Sequence, residues 1–132
     1  MIGKVITIKG HEVSESASEN FMTSARKHGV TDSISLFRFD AVIPMQLNGL
    51  MKEHNLEWSY PWKGSVYDMK SGMKKSAYVT NAPGKRVACF FSHYLLWKEC
   101  AEKDESMFIF EHDALITDSI SLDILEKSRY NI

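Results

Sequence analysis

The apolar and polar positions of this chain fall into short, distinct patterns. Lys4 to Ile8 is a β-branched run, expected as a buried first strand. Gly10 to Ser16 is polar and turn-like. A helix is expected to start near Ser16 or Ser18, with Glu19 as a capping partner three residues after Ser16. Ala17, Phe21, Met22 and Ala25 form its apolar stripe, and Gly29 is a suitable terminator. Ile34 to Val42 alternates as a second strand, closed by Pro44. This strand–helix–strand order predicts a βαβ unit with a parallel pair.

Gln46 to His54 reads as a short helix, and Asn55 to Gly84 as an irregular excursion holding Trp58, Tyr60 and Trp62. Val87 to Glu105 is the clearest helix. One apolar row runs through Val87, Phe90, Phe91, Tyr94, Leu95, Trp97 and Ala101. A second runs through Cys89, His93, Leu96 and Cys100, so the first turns are expected to be largely buried. Met107 to Phe110 is a four-residue apolar run, expected as a central strand buried on both faces. Ser119 to Tyr130 is expected to form one more helix. The result is an α/β fold with a mostly parallel sheet.

Composition narrows the class. The chain has 132 residues, 44% of them hydrophobic and 25% charged, which suits one globular domain. Sixteen Lys and Arg against 17 Asp and Glu give a net charge of −1, so no global basic field points to nucleic acid. The sequence holds no run of about 18 apolar residues that would span a membrane. With no long apolar segment near the N-terminus either, a cytoplasmic protein is expected. Cys89 and Cys100 on one helix would stand about 16 Å apart, too far for a disulfide, so both are expected as thiols.

The small net charge conceals an asymmetry. Lys63 to Arg86 carries six positive residues against one negative, or +5. Glu99 to Glu126 carries one against nine, or −8. The acids Glu111 and Asp113 directly follow the apolar run. Ligands of open α/β sheets bind outside the carboxyl ends of the strands. In an extended segment Glu111 and Asp113 would share one side. Two carboxylates there suit a hard divalent cation, and acids after a strand also serve as turn formers.

The run Pro83 to Trp97 (PGKRVACFFSHYLLW), followed by Met107 to Ala114 (MFIFEHDA), resembles family 25 glycosyltransferases of the lipopolysaccharide-biosynthesis type. That family has a Cys-x-x-Ser-His block, a Trp soon after, and an apolar strand ending Glu-Asp-Asp-Ala. The first βαβ segment and Phe39 to Val42 also resemble its opening, so the likeness spans most of Val5 to Ile116 and is weakest in Gln46 to Ala82.

The resemblance implies a GT-A type, Rossmann-like fold that binds a nucleotide-sugar, with UDP as the expected nucleotide. The acidic triplet would act as a DxD motif holding manganese or magnesium on the sugar diphosphate. Glu111 and Asp113 match the outer acids, and His112 replaces the middle one. The substrate contacts expected with it are Thr7, Lys85, Arg86, Ser92, His93 and His112. Ser92 and His93 match the Ser-His block, where a packed, hydrogen-bonded His93 is the first expectation. Lys85 takes an acidic position of the family, and Arg86 is an insertion. Lys9 to Val13 lacks the arginines that the family tends to place there.

The expected reaction is hexose transfer from the nucleotide-sugar to a saccharide or lipopolysaccharide-type acceptor. No catalytic base is assigned. A full transferase fold is expected to need further strands after Asp113, where 19 residues remain (132 − 113). The alternative expectation is therefore a truncated, non-catalytic relative that binds sugar, nucleotide or protein. A third is a structural subunit whose Trp58 to Trp62 segment joins copies in a homo-oligomer. Trp58, Tyr60 and Trp62 could also stack on a sugar or pack as a core. Zinc is not expected on Cys89, His93 and Cys100, because only two of them are close enough to share an ion.

Overall fold

A computed structural model describes residues 1–77 and 79–121. In chain order the elements are β1 (Ile2–Thr7), α1 (Glu12–Lys27), β2 (Ser35–Asp40), α2 (Leu47–Glu53), β3 (Ser65–Asp68), β4 (Met73–Ser76), α3 (Pro83–Lys103) and β5 (Met107–Glu111). The chain divides into two compact units. The first comprises Met1–Ala41 with His93–Ile132, and the second Val42–Ser92. The residues of α3 up to Ser92 belong to the second unit and the rest to the first.

The first unit is built on a parallel three-stranded sheet in the order β2-β1-β5. Flanking helices complete the α/β, Rossmann-like arrangement expected of a GT-A type fold. Val5, Phe21, Ala25, Val30 and Ile34 form its buried core, and Leu36, Phe108 and Phe110 pack against them. Phe21 of α1 meets Phe110 of β5 at 4.8 Å between ring centroids. Gly3 is required in β1, since a Cβ there would lie 2.6 Å from Leu36 Cδ2.

Three expectations change. First, α1 begins at Glu12, capped by His11, whose Nδ1 accepts the Ser14 amide hydrogen at 3.3 Å. The serines thought to start the helix lie inside it instead. Ser14 Oγ accepts from the Ile8 amide at 2.9 Å, and Ser18 Oγ accepts from the Thr7 hydroxyl at 3.0 Å. They tie the helix to the end of β1. Second, β1 is the central strand and β5 is an edge of the described sheet, with all its residues half-buried. An apolar run specifies burial against neighbours, not a place in the strand order. Third, the early turns of α3 are buried on one stripe only: Val87, Ala88, Phe91, Ser92 and Leu96 are buried, whereas Cys89, Phe90 and Trp97 are exposed. A helix packing on one side hides a single row of positions spaced three or four apart. Neither cysteine is in a disulfide. The expected tail helix lies outside the described residues apart from Ser119 to Ser121, which are not helical.

In the second unit the excursion after α2 contains an antiparallel hairpin, β3 with β4. Its strands, Ser-Val-Tyr-Asp and Met-Lys-Lys-Ser, lack a buried alternation, so the sequence pattern concealed them. Turn chemistry holds it. Gly72 takes a positive φ of 67° and its amide donates to the Asp68 carbonyl at 2.8 Å. Asp68 pairs with Lys75 at 2.7 Å and accepts from the Ser71 hydroxyl and the Lys70 amide. The Lys75 hydrogen bond, aided by these two donors, holds the Asp68 carboxyl far below its ordinary value of 3.8.

Candidate functional site

Parallel strands end on one edge of their sheet, so their carboxyl ends gather there whatever their chain order. In the first unit that edge carries Thr7, Asp40 and Glu111. Thr7 is in register with Asp40, and Ile6 with Glu111. Asp40 is an exposed acid paired with Lys9 at 3.1 Å. The signal that singles out Glu111, an acid ending a strand, is equally present at Asp40.

The chain leaves β5 through a tight turn. The Ala114 amide donates to the Glu111 carbonyl at 3.2 Å, so residues 111–114 form a β-turn. The expected extended alternation is therefore corrected. Glu111 ends the strand, while His112 and Asp113 lie in the turn. Asp113 is exposed and His112 half-buried. Beyond the turn, the Ile116 amide donates to Ser24 Oγ at 3.1 Å, and Ala114 and Ile116 pack against the core. The acidic turn is thus anchored at both ends.

Glu111 Oε1 stands 2.7 Å from His93 Nε2 on α3. An ionised carboxylate only accepts, so the ring N–H donates. The imidazole fixes one carboxylate oxygen, and 42% of the Glu111 side chain remains exposed. Glu111 and Asp113 are solvent-accessible oxygen donors, the ligand type that hard divalent cations prefer.

Two of the expected substrate contacts, Thr7 and Ser92, are buried. Thr7 is 3% exposed, and its hydroxyl lies within hydrogen-bonding distance of the Val5 carbonyl and Ser18 Oγ. Ser92 is fully buried in the second unit. Its hydroxyl donates to the Ala88 carbonyl at 3.0 Å and accepts from the Val42 amide at 2.9 Å. Both hydroxyls serve the fold. Lys85 and Arg86 sit, exposed, at the start of α3 in the second unit.

The acids near the end of β1 lie in the helix that follows it. Glu12 and Glu15 occupy the first turn of α1, and Glu15 Oε1 accepts the Gly10 amide hydrogen at 2.8 Å.

In the second unit, Trp58, Tyr60, Pro61, Trp62, Ser76, Thr80, Pro83, Arg86 and Val87 line a cavity of about 160 Å³. Trp58 lies 5.8 Å from Tyr60, 6.3 Å from Trp62 and 5.8 Å from Phe90 between ring centroids. The sequence drew attention to the three aromatics. Ser76 and Thr80 were missed, because isolated hydroxyl residues carry no pattern.

A family model described as glycosyltransferase family 25 (LPS biosynthesis protein) matches residues 14–131. No curated protein and no solved structure matches the chain.

Proposed function

Because the chain belongs to glycosyltransferase family 25, whose activity is glycosyl transfer in lipopolysaccharide biosynthesis, we propose that its sheet edge holds the diphosphate of a nucleotide-sugar, UDP-linked, through a divalent cation. The observation that carries this is the acidic turn Glu111 to Asp113 at the carboxyl end of β5, within the matched segment. In the reaction a hydroxyl oxygen of a saccharide acceptor bonds to the anomeric carbon, the bond from that carbon to the diphosphate oxygen breaks, and the hydroxyl proton is released to water. Bound manganese or magnesium would neutralise the charge that builds on the departing diphosphate.

The chain's own residues have separate tasks in this scheme. Glu111 and Asp113 supply the oxygen ligands. His93 positions Glu111 by holding Oε1. His112, half-buried in the same turn, faces the donor as a hydrogen-bonding group. Glu12 and Glu15, in the first turn of α1, disfavour a phosphate at that helix end. Lys85 and Arg86 supply cationic contacts to anionic substrate groups. No helix among the described residues is long and apolar enough to cross a membrane.

The test is calorimetric titration of the full chain with UDP, with and without manganese. Binding is expected to require the metal and to fall at least tenfold in Asp113→Ala. Asp113 is exposed, so that variant should fold normally, which circular dichroism checks. Unchanged binding in Asp113→Ala removes the assignment. Nucleotide binding without transfer to any saccharide acceptor would make the chain a binding relative instead of a catalyst.

A further inference from the structure

The β3–β4 hairpin of the second unit leaves apolar side chains in water. Val66 is 47% exposed, Tyr67 70%, Met69 89% and Met73 54%. Single exposed apolar residues are ordinary, but these four stand together on one short hairpin and form a patch.

The strand register says which way they point. Val66 lies opposite Lys75, and Tyr67 opposite Lys74. Successive side chains of a strand take opposite faces. Lys75 turns toward the rest of its unit. Its ammonium donates to Ser59 Oγ at 2.9 Å and lies 5.6 Å from the Tyr60 ring centroid. Tyr67 and Lys74 share the other face, away from those contacts. Met69 and Lys70 lie in the turn that joins the strands, and both are exposed.

The charge on this element is positive. Its one acid, Asp68, is held by Lys75, the Ser71 hydroxyl and the Lys70 amide. The exposed ammonium groups of Lys70 and Lys74 join no ion pair among the described residues. Counted over the whole second unit, seven Lys and Arg stand against Glu53, Glu57 and Asp68, or +4.

A soluble polyanion would use the lysines and leave Tyr67 and Met69 in water. An anionic bilayer uses both kinds of group. Its phosphates attract Lys, its headgroup layer suits a ring with a hydroxyl at one end, and its acyl boundary takes an apolar side chain.

We propose that the β3–β4 hairpin docks on an anionic phospholipid surface, with Tyr67 and Met69 entering the headgroup region and Lys70 and Lys74 on lipid phosphates. This docking is independent of the donor site proposed above.

The test is co-sedimentation of the full chain with vesicles of phosphatidylcholine and phosphatidylglycerol in equal parts, beside vesicles of phosphatidylcholine alone. Binding is expected to be at least tenfold stronger to the anionic vesicles and to weaken as salt is raised. Lys70→Gln combined with Lys74→Gln should lower it at least tenfold, since each lysine near an anionic surface contributes about fivefold. Tyr67→Ser combined with Met69→Ser should lower it at least fivefold. All four side chains are exposed, so both double variants should fold, which thermal unfolding checks. No preference for anionic vesicles, or undiminished binding by either double variant, overturns the proposal. Self-association in light scattering that the Tyr67→Ser, Met69→Ser variant abolishes, with no vesicle binding, also overturns it and makes the hairpin a contact between copies.

Discussion

His93 Nε2 lies 2.7 Å from Glu111 Oε1, joining α3 to the carboxyl end of β5 across 18 positions of sequence. The contact orients one acid of the turn proposed to hold the cation. Removing the imidazole in His93→Ala should destabilise the protein toward the lower end of about 0.5–1.5 kcal/mol, because both groups are partly solvated. Manganese-dependent UDP binding should weaken more than stability does, and His93→Gln, which keeps an N–H donor, should recover part of it. Thermal unfolding and calorimetry on the three proteins measure both effects. Equal metal-dependent binding in all three would show that His93 does not position Glu111.

Ser92 makes a different prediction. Its hydroxyl accepts from the buried Val42 amide. In Ser92→Ala that N–H loses its partner, at a cost of about 1–3 kcal/mol. The urea unfolding midpoint should fall accordingly. A change within about 0.5 kcal/mol, typical of surface substitutions, would mean that the helix backbone relaxes or water reaches Val42.

At Gly3 a methyl group would meet Leu36 at 2.6 Å, Ile34 at 3.0 Å and Phe110 at 3.2 Å. Ile34 and Leu36 lie just before and at the start of β2 and Phe110 in β5, so one side-chain rotation cannot relieve all three. Gly3→Ala should cost about 1–3 kcal/mol, as overpacked cores do. A neutral result in denaturant unfolding would show that Leu36 swings aside freely.

The hairpin in the second unit has a defined acid response. Asp68 is depressed chiefly by Lys75, then by the Ser71 hydroxyl and the Lys70 amide. A carboxyl that binds its proton less readily when folded stabilises the fold above its ordinary value of 3.8 and loses that effect as pH falls below it. The amide resonance of Lys70, which donates to Asp68 Oδ1 at 3.0 Å, should titrate well below pH 3.8. Asp68→Asn should abolish that titration. A midpoint at or above 3.8 would show that the three donors do not hold the carboxylate.

Much of the first unit was legible because its elements have strong local periods. Val5 and Ile6 are β-branched and buried in β1, and Phe21 and Ala25 lie one turn apart on α1. The short α2 and the long α3 were legible for the same reason. The start of α1 was misread because Ser14 and Ser18 carry the chemistry of caps yet spend it on Ile8 and Thr7. The hairpin escaped notice because turn geometry and the Asp68–Lys75 pair hold it, without an apolar alternation.

At the candidate site, motif order brought Ser92, His93, Glu111 and Asp113 to attention together, yet the structure separates their roles. Ser92 is sealed inside the second unit, His93 bonds Glu111, and Asp113 faces water. Residue type says which atoms can bond. Which partner each atom finds depends on how strands and helices stack.

The chain by itself determined its α/β class, the parallel first pair of strands and the acids that follow the last apolar run, because the periods that mark each element are local and a strand–helix–strand order admits a parallel pair. Only the tertiary structure decided that β1 lies between β2 and β5, that Glu111 ends in a turn under His93, and that Trp58, Tyr60 and Trp62 surround a cavity with Thr80 and Arg86. These are pairings between segments far apart in sequence, and they are selected by which surfaces bury each other best, a choice no local pattern encodes.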